Sequence, residues 1–210
     1  MKTFTAIITS ALLLVSTASY SKPVAESADQ VSPLLVGQTI PEVTTTTVDG
    51  KKVAFNEIVD GKPTVLFFYR GGWCPFCNVQ MGQLQAIEKD LVDLGYQLIG
   101  VSTDSPADLQ KSMTKEELSY QLLSDFDSQM SQAFGLAFFT SQSVTDRYLG
   151  KMDLQNPLQK NAAGEERLVL PAPAVYVIDG DGMVHFQYVN PNFKVRLDPQ
   201  LLLMAAKLAK

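Results

Sequence analysis

The sequence predicts an α/β layered fold, a mixed central sheet flanked by helices on both faces. Three observations predict it: a hairpin near the start, short apolar strands alternating with one-faced helices through the middle, and a closing hairpin followed by a last helix. The stretch VTTTTVDGKKVAF alternates β-branched residues around Asp49-Gly50, a pair favoured in tight hairpin turns, and gives an N-terminal β-hairpin. PTVLFFY (63–69) is a continuous apolar run, expected to be a central strand buried on both faces. Met81, Leu84, Ile87, Leu91 and Leu94 then recur at steps of three and four, with Gly95 as a stop, which marks a helix with one buried face. YQLIGVS (96–102) is the next strand, and Ser105, Pro106 and Asp108 supply the cap, first-turn proline and first-turn acid of a second helix. LSYQLLSD (118–125) follows as a strand and residues 127–134 as a short helix. Residues 136–168 have weak periodicity and read as an insertion carrying a helix around Val144 to Leu149. AVYVIDGDGMVHFQYV (174–189) is strand, turn, strand, and Asp198-Pro199 opens the last helix.

Residues 1–21 are expected to be a secretory signal peptide. Lys2 gives the positive start, Ile7 to Val15 the apolar centre, and Ser16 to Ser21 the small-residue stretch suited to cleavage. The apolar segment is shorter than the 18 or more residues that spanning requires. The expectation is therefore export to the periplasm without membrane insertion. Residues 22–35 are expected to form a flexible linker and 36–210 a single domain. With 17 Lys and Arg against 22 Asp and Glu, the net charge of −5 offers no basic footprint for nucleic acid.

RGGWCPFCN (70–78) contains both cysteines of the chain, at the junction of the first core strand with its helix. A structural disulfide between Cys74 and Cys77 closes so short a ring that it stabilises by only roughly 2 kcal/mol. Zinc needs two further ligands, and the chain has no other cysteine and a single histidine, so no metal is expected. Haem attachment needs histidine after the second cysteine, where Asn78 stands. A soft-metal carrier using both thiols and Met81 is a further reading, although Met81 is already explained by the helix face. A redox dithiol remains, because a helix N-terminus favours a thiolate over a thiol. On this reading Cys74 is the more exposed sulfur and Cys77, one turn into the helix, is shielded. Arg70 adds a positive charge nearby, Gly71 and Gly72 let the backbone turn sharply, and Trp73 packs over the site. His185 lies on an alternating strand and is read as an ordinary half-exposed residue.

GKPTVLFFYRGGWCPFC, VSTDS (101–105), YQLLSDFDSQMSQAFGL (120–136) and PAVYVIDGDG (173–182), in that order, resemble the thioredoxin-fold peroxiredoxins of the alkyl hydroperoxide reductase C and thiol-specific antioxidant family. The resemblance implies a thioredoxin-like fold and thiol redox chemistry with no bound cofactor. The family's peroxidatic pattern, Thr-x-x-Cys, falls on Cys74 and Cys77, so alignment makes Cys77 the attacking thiol while exposure favours Cys74. The family's threonine and its arginine on a later strand are absent. Pro173 occupies the arginine's place and resembles the cis-proline of thioredoxins, which predicts a cis Ala172-Pro173 bond packed near Cys74. Pro75, directly after the first cysteine, resembles glutaredoxin-type sites. Two activities are implied: a peroxidase that reduces hydroperoxides with electrons from a thioredoxin-like partner, or an exchanger acting on protein disulfides.

Overall fold

The computed structural model describes residues 22–152 and 154–209. The expected signal peptide lies outside the described residues. Two strands, β1 (Thr44–Thr47) and β2 (Lys52–Ala54), form the expected N-terminal hairpin, and the turn places Gly50 at φ +82°, a left-handed conformation that glycine adopts without penalty. The short helix α1 (Phe55–Val59) follows, then β3 (Thr64–Phe68), α2 (Pro75–Asp93), β4 (Gln97–Ser102), α3 (Pro106–Lys115), β5 (Gln121–Ser124) and α4 (Gln129–Ala133). The 136–168 stretch contains β6 (Ala137–Phe139), α5 (Gln142–Met152), β7 (Gln159–Lys160) and β8 (Glu166–Arg167). The chain then returns through β9 (Val169–Pro171), β10 (Ala174–Ile178), β11 (Val184–Val189) and α6 (Pro199–Leu208).

The main sheet has the order β11-β10-β3-β4-β5-β1-β2. Its centre, β3-β4-β5, is parallel, and β10 and β1 join it antiparallel on either side. All five residues of β3 are buried, as its unbroken apolar run predicts for a strand covered on both faces. Val65, Phe67 and Tyr69 enter one core with Met81, Leu84 and Leu91 of α2 and Leu202 and Leu203 of α6. Leu66 and Phe68 enter the other with Phe55 of α1, Met130 of α4 and Phe134. Cys74 and Cys77 belong to the first of these cores.

Three expectations need correction. Residues 22–35 are not a free tether. They run along the domain, with Ala25 N–H donating to Ala137 O at 2.9 Å, Ser32 N–H to Gly135 O at 3.0 Å and Leu34 N–H to Phe134 O at 3.2 Å. Gly135 makes that approach possible, since a Cβ there would stand 2.0 Å from Ser32 O. The insertion helix is longer than expected, Gln142–Met152, and is held by buried Thr145, which bonds Thr140 at 2.7 Å. The described residues contain no cis peptide, so Ala172-Pro173 is trans. Its course is extended from β9 into β10, fixed by Ala172 N–H to Leu136 O at 2.9 Å and by Asn190 N–H to Pro173 O at 3.1 Å.

Candidate active site

The polypeptide leaves β3 at Phe68 and reaches α2 at Pro75, so residues 70–74 form the turn that carries the chemistry. Pro75 holds the first helical position, where its missing N–H removes no bond, and Cys74 is the N-cap. The turn is anchored from several sides. Thr103 Oγ1 donates to Arg70 O at 3.0 Å, Gly72 N–H donates to Asp104 Oδ2 at 2.7 Å, Asn78 Nδ2 donates to Gly72 O at 3.0 Å, and Cys74 N–H donates to Gly71 O at 3.0 Å. Gly71 has φ +151°, and a Cβ there would stand 2.2 Å from Trp73 Nε1 and 2.6 Å from Asp104 Oδ1. A side chain cannot be fitted at Gly71 without moving the indole or the carboxylate.

Both sulfurs are reduced and buried, with Cys74 2% and Cys77 0% exposed. Cys77 is the more shielded of the two, and Cys74, although the more exposed, is itself buried. It is enclosed because the turn folds back against the α2 core. The two thiols are inequivalent. The Cys77 thiol donates to Cys74, and this bond, aided by the Arg70 and Arg196 charges, outweighs burial and brings Cys74 down to about 6. Burial, together with that donated proton, holds Cys77 well above the ordinary thiol range. The site thus favours the thiolate on Cys74 over Cys77.

Two guanidiniums flank this pair. Arg70 is 4% exposed and carries its charge inside an aromatic enclosure, 4.1 Å from the Phe193 ring centre, 5.1 Å from Trp73 and 5.2 Å from Tyr148. Its Nη2 donates to the Tyr148 hydroxyl, and cation–ring contacts with a desolvated arginine contribute about 2 kcal/mol. Arg196 arrives from the loop after β11, and its Nη2 donates to Cys77 Sγ at 3.2 Å. Arg70 Nε and Arg196 Nε and Nη1 are buried donors with no partner among the described residues. Unsatisfied buried donors are costly. Two of the three belong to Arg196, the guanidinium that donates to Cys77 Sγ.

Trp73 packs against Tyr148, ring centres 4.9 Å apart, and against the Arg70 guanidinium. Pro173, trans rather than cis, lines a cavity of about 470 Å³ together with Arg70, Tyr148, Phe193 and Arg167. His185 is satisfied on its strand by Asp179, Nε2 to Oδ2 2.7 Å. Sequence reasoning missed Arg196, Tyr148, Phe193 and Asp104. Tyr148 sits in the insertion and Arg196 and Phe193 in an aperiodic loop, so neither segment offered a pattern. Asp104 lies in VSTDS, and only the fold brings its carboxylate to the Gly71-Gly72 turn.

The fold and the site define a thiol-dependent oxidoreductase on a thioredoxin-like scaffold. The chain belongs to the AhpC/TSA family, whose profile matches residues 36–187. It is 33% identical over 106 residues to the putative peroxiredoxin bcp of Haemophilus influenzae, an overlap covering 50% of this chain and 68% of that protein. It is 32% identical over 106 residues to peroxiredoxin Bcp of Escherichia coli, covering 50% and 67%. Among solved structures, peroxidoxin BcpB of Mycobacterium tuberculosis superposes with a TM-score of 0.63 at 18% identity over 83% of this chain and 97% of that one. Reduced Prx3 of Vibrio vulnificus, solved with hydrogen peroxide, gives 0.65 at 18% identity over 82% and 99%. The family match ends before Arg196.

Proposed function

We propose that the protein is a peroxiredoxin-type thiol peroxidase in which the Cys74 thiolate attacks the hydroperoxide. The observation that carries this reading is the Arg196 guanidinium, which donates to Cys77 Sγ and holds two further buried donors unpartnered among the described residues, because a departing oxygen anion in a dry site needs such donors. The Cys74 thiolate attacks the terminal oxygen of ROOH. The O–O bond breaks, a proton joins the leaving oxygen to give ROH, and Cys74 becomes a sulfenic acid. The Cys77 thiol then attacks the sulfenic sulfur, forming the Cys74–Cys77 disulfide and releasing water. A thioredoxin-like dithiol restores both thiols and leaves as its own disulfide. The burial of both sulfurs supports a small oxidant over a protein disulfide. Export belongs to the same proposal: the layout of residues 1–21 supports it, and the reductant is then an envelope dithiol.

Stopped-flow kinetics test the reading. The reduced protein is expected to consume hydrogen peroxide or cumene hydroperoxide at least about 10³-fold faster than free cysteine at the same pH. Cys77→Ser should trap the sulfenic acid on Cys74 by mass spectrometry. A sulfenic acid trapped on Cys77 in Cys74→Ser, with none on Cys74, would reverse the assignment. A rate no faster than free cysteine removes the peroxidase.

A further inference from the structure

We infer that Asp104 is a positioning residue for the dithiol, its carboxylate holding the Gly71-Gly72 turn that sets Cys74 at the start of α2. The inference rests on the peroxidase reading for the reaction that is impaired, but not for the geometry.

Asp104 is 6% exposed, and the bonds it accepts come from Gly72 N–H at 2.7 Å and Ser102 Oγ at 3.1 Å, with no arginine or lysine bonded to it among the described residues. A carboxylate buried without a cation is unfavourable unless its bonds are put to use. Burial pushes it up to about 6, against the Gly72 and Ser102 bonds that favour its charge. The turn lies close against it, since a Cβ at Gly71 would stand 2.6 Å from its Oδ1 and 2.2 Å from the Trp73 indole nitrogen, a buried donor with no partner among the described residues. Of the turn's anchors, the Asp104 bond is the one that reaches the turn's Gly72 N–H. Losing it leaves Gly72 held through its carbonyl alone, by Asn78, and loosens the approach to Cys74.

The charged groups facing Asp104 are few. Cys74 and Asp108 raise its pKa, Tyr69, the residue after β3, feels its charge, and Lys111 and Lys115 of α3 line the same cavity of about 500 Å³. The carboxylate therefore acts on Cys74 in two opposed ways. Its hydrogen bond holds the geometry that favours the thiolate, while its charge disfavours a second anion.

Two substitutions separate these effects. Asp104→Asn keeps an acceptor for Gly72 and loses the charge, whereas Asp104→Ala loses both. The readouts are the pH midpoint of Cys74 alkylation by iodoacetamide and the stopped-flow rate with hydrogen peroxide. For Asp104→Asn the midpoint should fall and the peroxide rate stay within about threefold of the parent, since the positioning bond survives. For Asp104→Ala the midpoint should rise and the rate at pH 7 drop roughly 10- to 100-fold, the range for losing a residue that orients a reactive group. Parental midpoints and rates in both variants overturn the inference, as does an asparagine variant that loses as much rate as alanine. If the alanine variant does not fold, the asparagine variant decides alone: a lowered midpoint with retained rate upholds the role, and a raised midpoint or lost rate removes it. If the parent shows no fast peroxide step, the peroxidase reading fails and the alkylation midpoints still decide the role of Asp104.

Discussion

Arg196 and Cys77 stand 119 residues apart in sequence, yet Nη2 of the arginine donates to the sulfur at 3.2 Å. The family's arginine seemed absent from the sequence because its customary place holds Pro173. A guanidinium reaches the dithiol all the same, from the loop after β11. Arg196→Met is expected to slow the peroxide step roughly 10- to 100-fold, with Arg196→Lys intermediate, because lysine keeps the charge but not the planar fork. Stopped-flow rates at saturating reductant check this, and parental rates in both variants would reduce Arg196 to packing.

Arg70 is expected to favour the peroxide reaction over simple exchange. Arg70→Met should slow consumption of hydrogen peroxide much more than reaction with a small aromatic disulfide, since only the peroxide step expels an oxygen anion. Tyr148→Phe retains the ring stacked near Arg70 and loses only the acceptor, so its effect should be smaller, within about fivefold. Equal slowing of both reactions in Arg70→Met would mean that the arginine only tunes the thiolate.

The alkylation rate of Cys74 should rise with pH through a midpoint of about 6 and then level off, because the lowered pKa makes the thiolate the resting form above that point. Its largest support is the Cys77 thiol. Cys77→Ala should therefore move the midpoint up, towards the ordinary thiol value of about 8.5. A midpoint unmoved by that change would show the guanidiniums to be sufficient.

Stability should follow a specific pH course. Asp104 and Asp125 are raised by burial to about 6 and about 7, so from about pH 4, where they ionise in the unfolded chain, to pH 7 the folded state holds protons that the unfolded state releases, and stability falls. Cys74 has the opposite sign. Its folded value is about 6, so between pH 6 and about 8.5 the unfolded chain binds the extra proton and stability rises with pH. Above that, Cys77 ionises only when unfolded and stability falls again. Urea melts should show a shallow minimum near pH 6 to 7, and Cys74→Ser should abolish the rise on its alkaline side.

The parts of the molecule legible in the sequence are those with a period or a cap. The unbroken run at 64–68 announced the central strand, the three- and four-residue steps from Met81 announced α2, and Ser105 and Asp198 marked helix starts where their side chains do accept N–H bonds, from Asp108 and Gln200. Cys74 and Cys77 were legible as a pair because their spacing spans one helical turn. Their environment was not. Arg196, Phe193 and Tyr148 reach the turn from segments whose order is fixed only by tertiary packing, and such contacts leave no periodic trace. The near-complete burial of Cys74 was illegible for a related reason, since an N-cap is open to solvent only where nothing else packs against it.

The long separation between Cys77 and Arg196 also gives the site an order of assembly. During synthesis the dithiol is made well before the guanidinium, and before Leu197, Leu202 and Leu203, which complete the core around it. A nascent chain with α2 already exposed thus carries both thiols but lacks the wall and one of the charges that distinguish them. The burial that holds the Cys77 thiol up is complete only when the last helix docks.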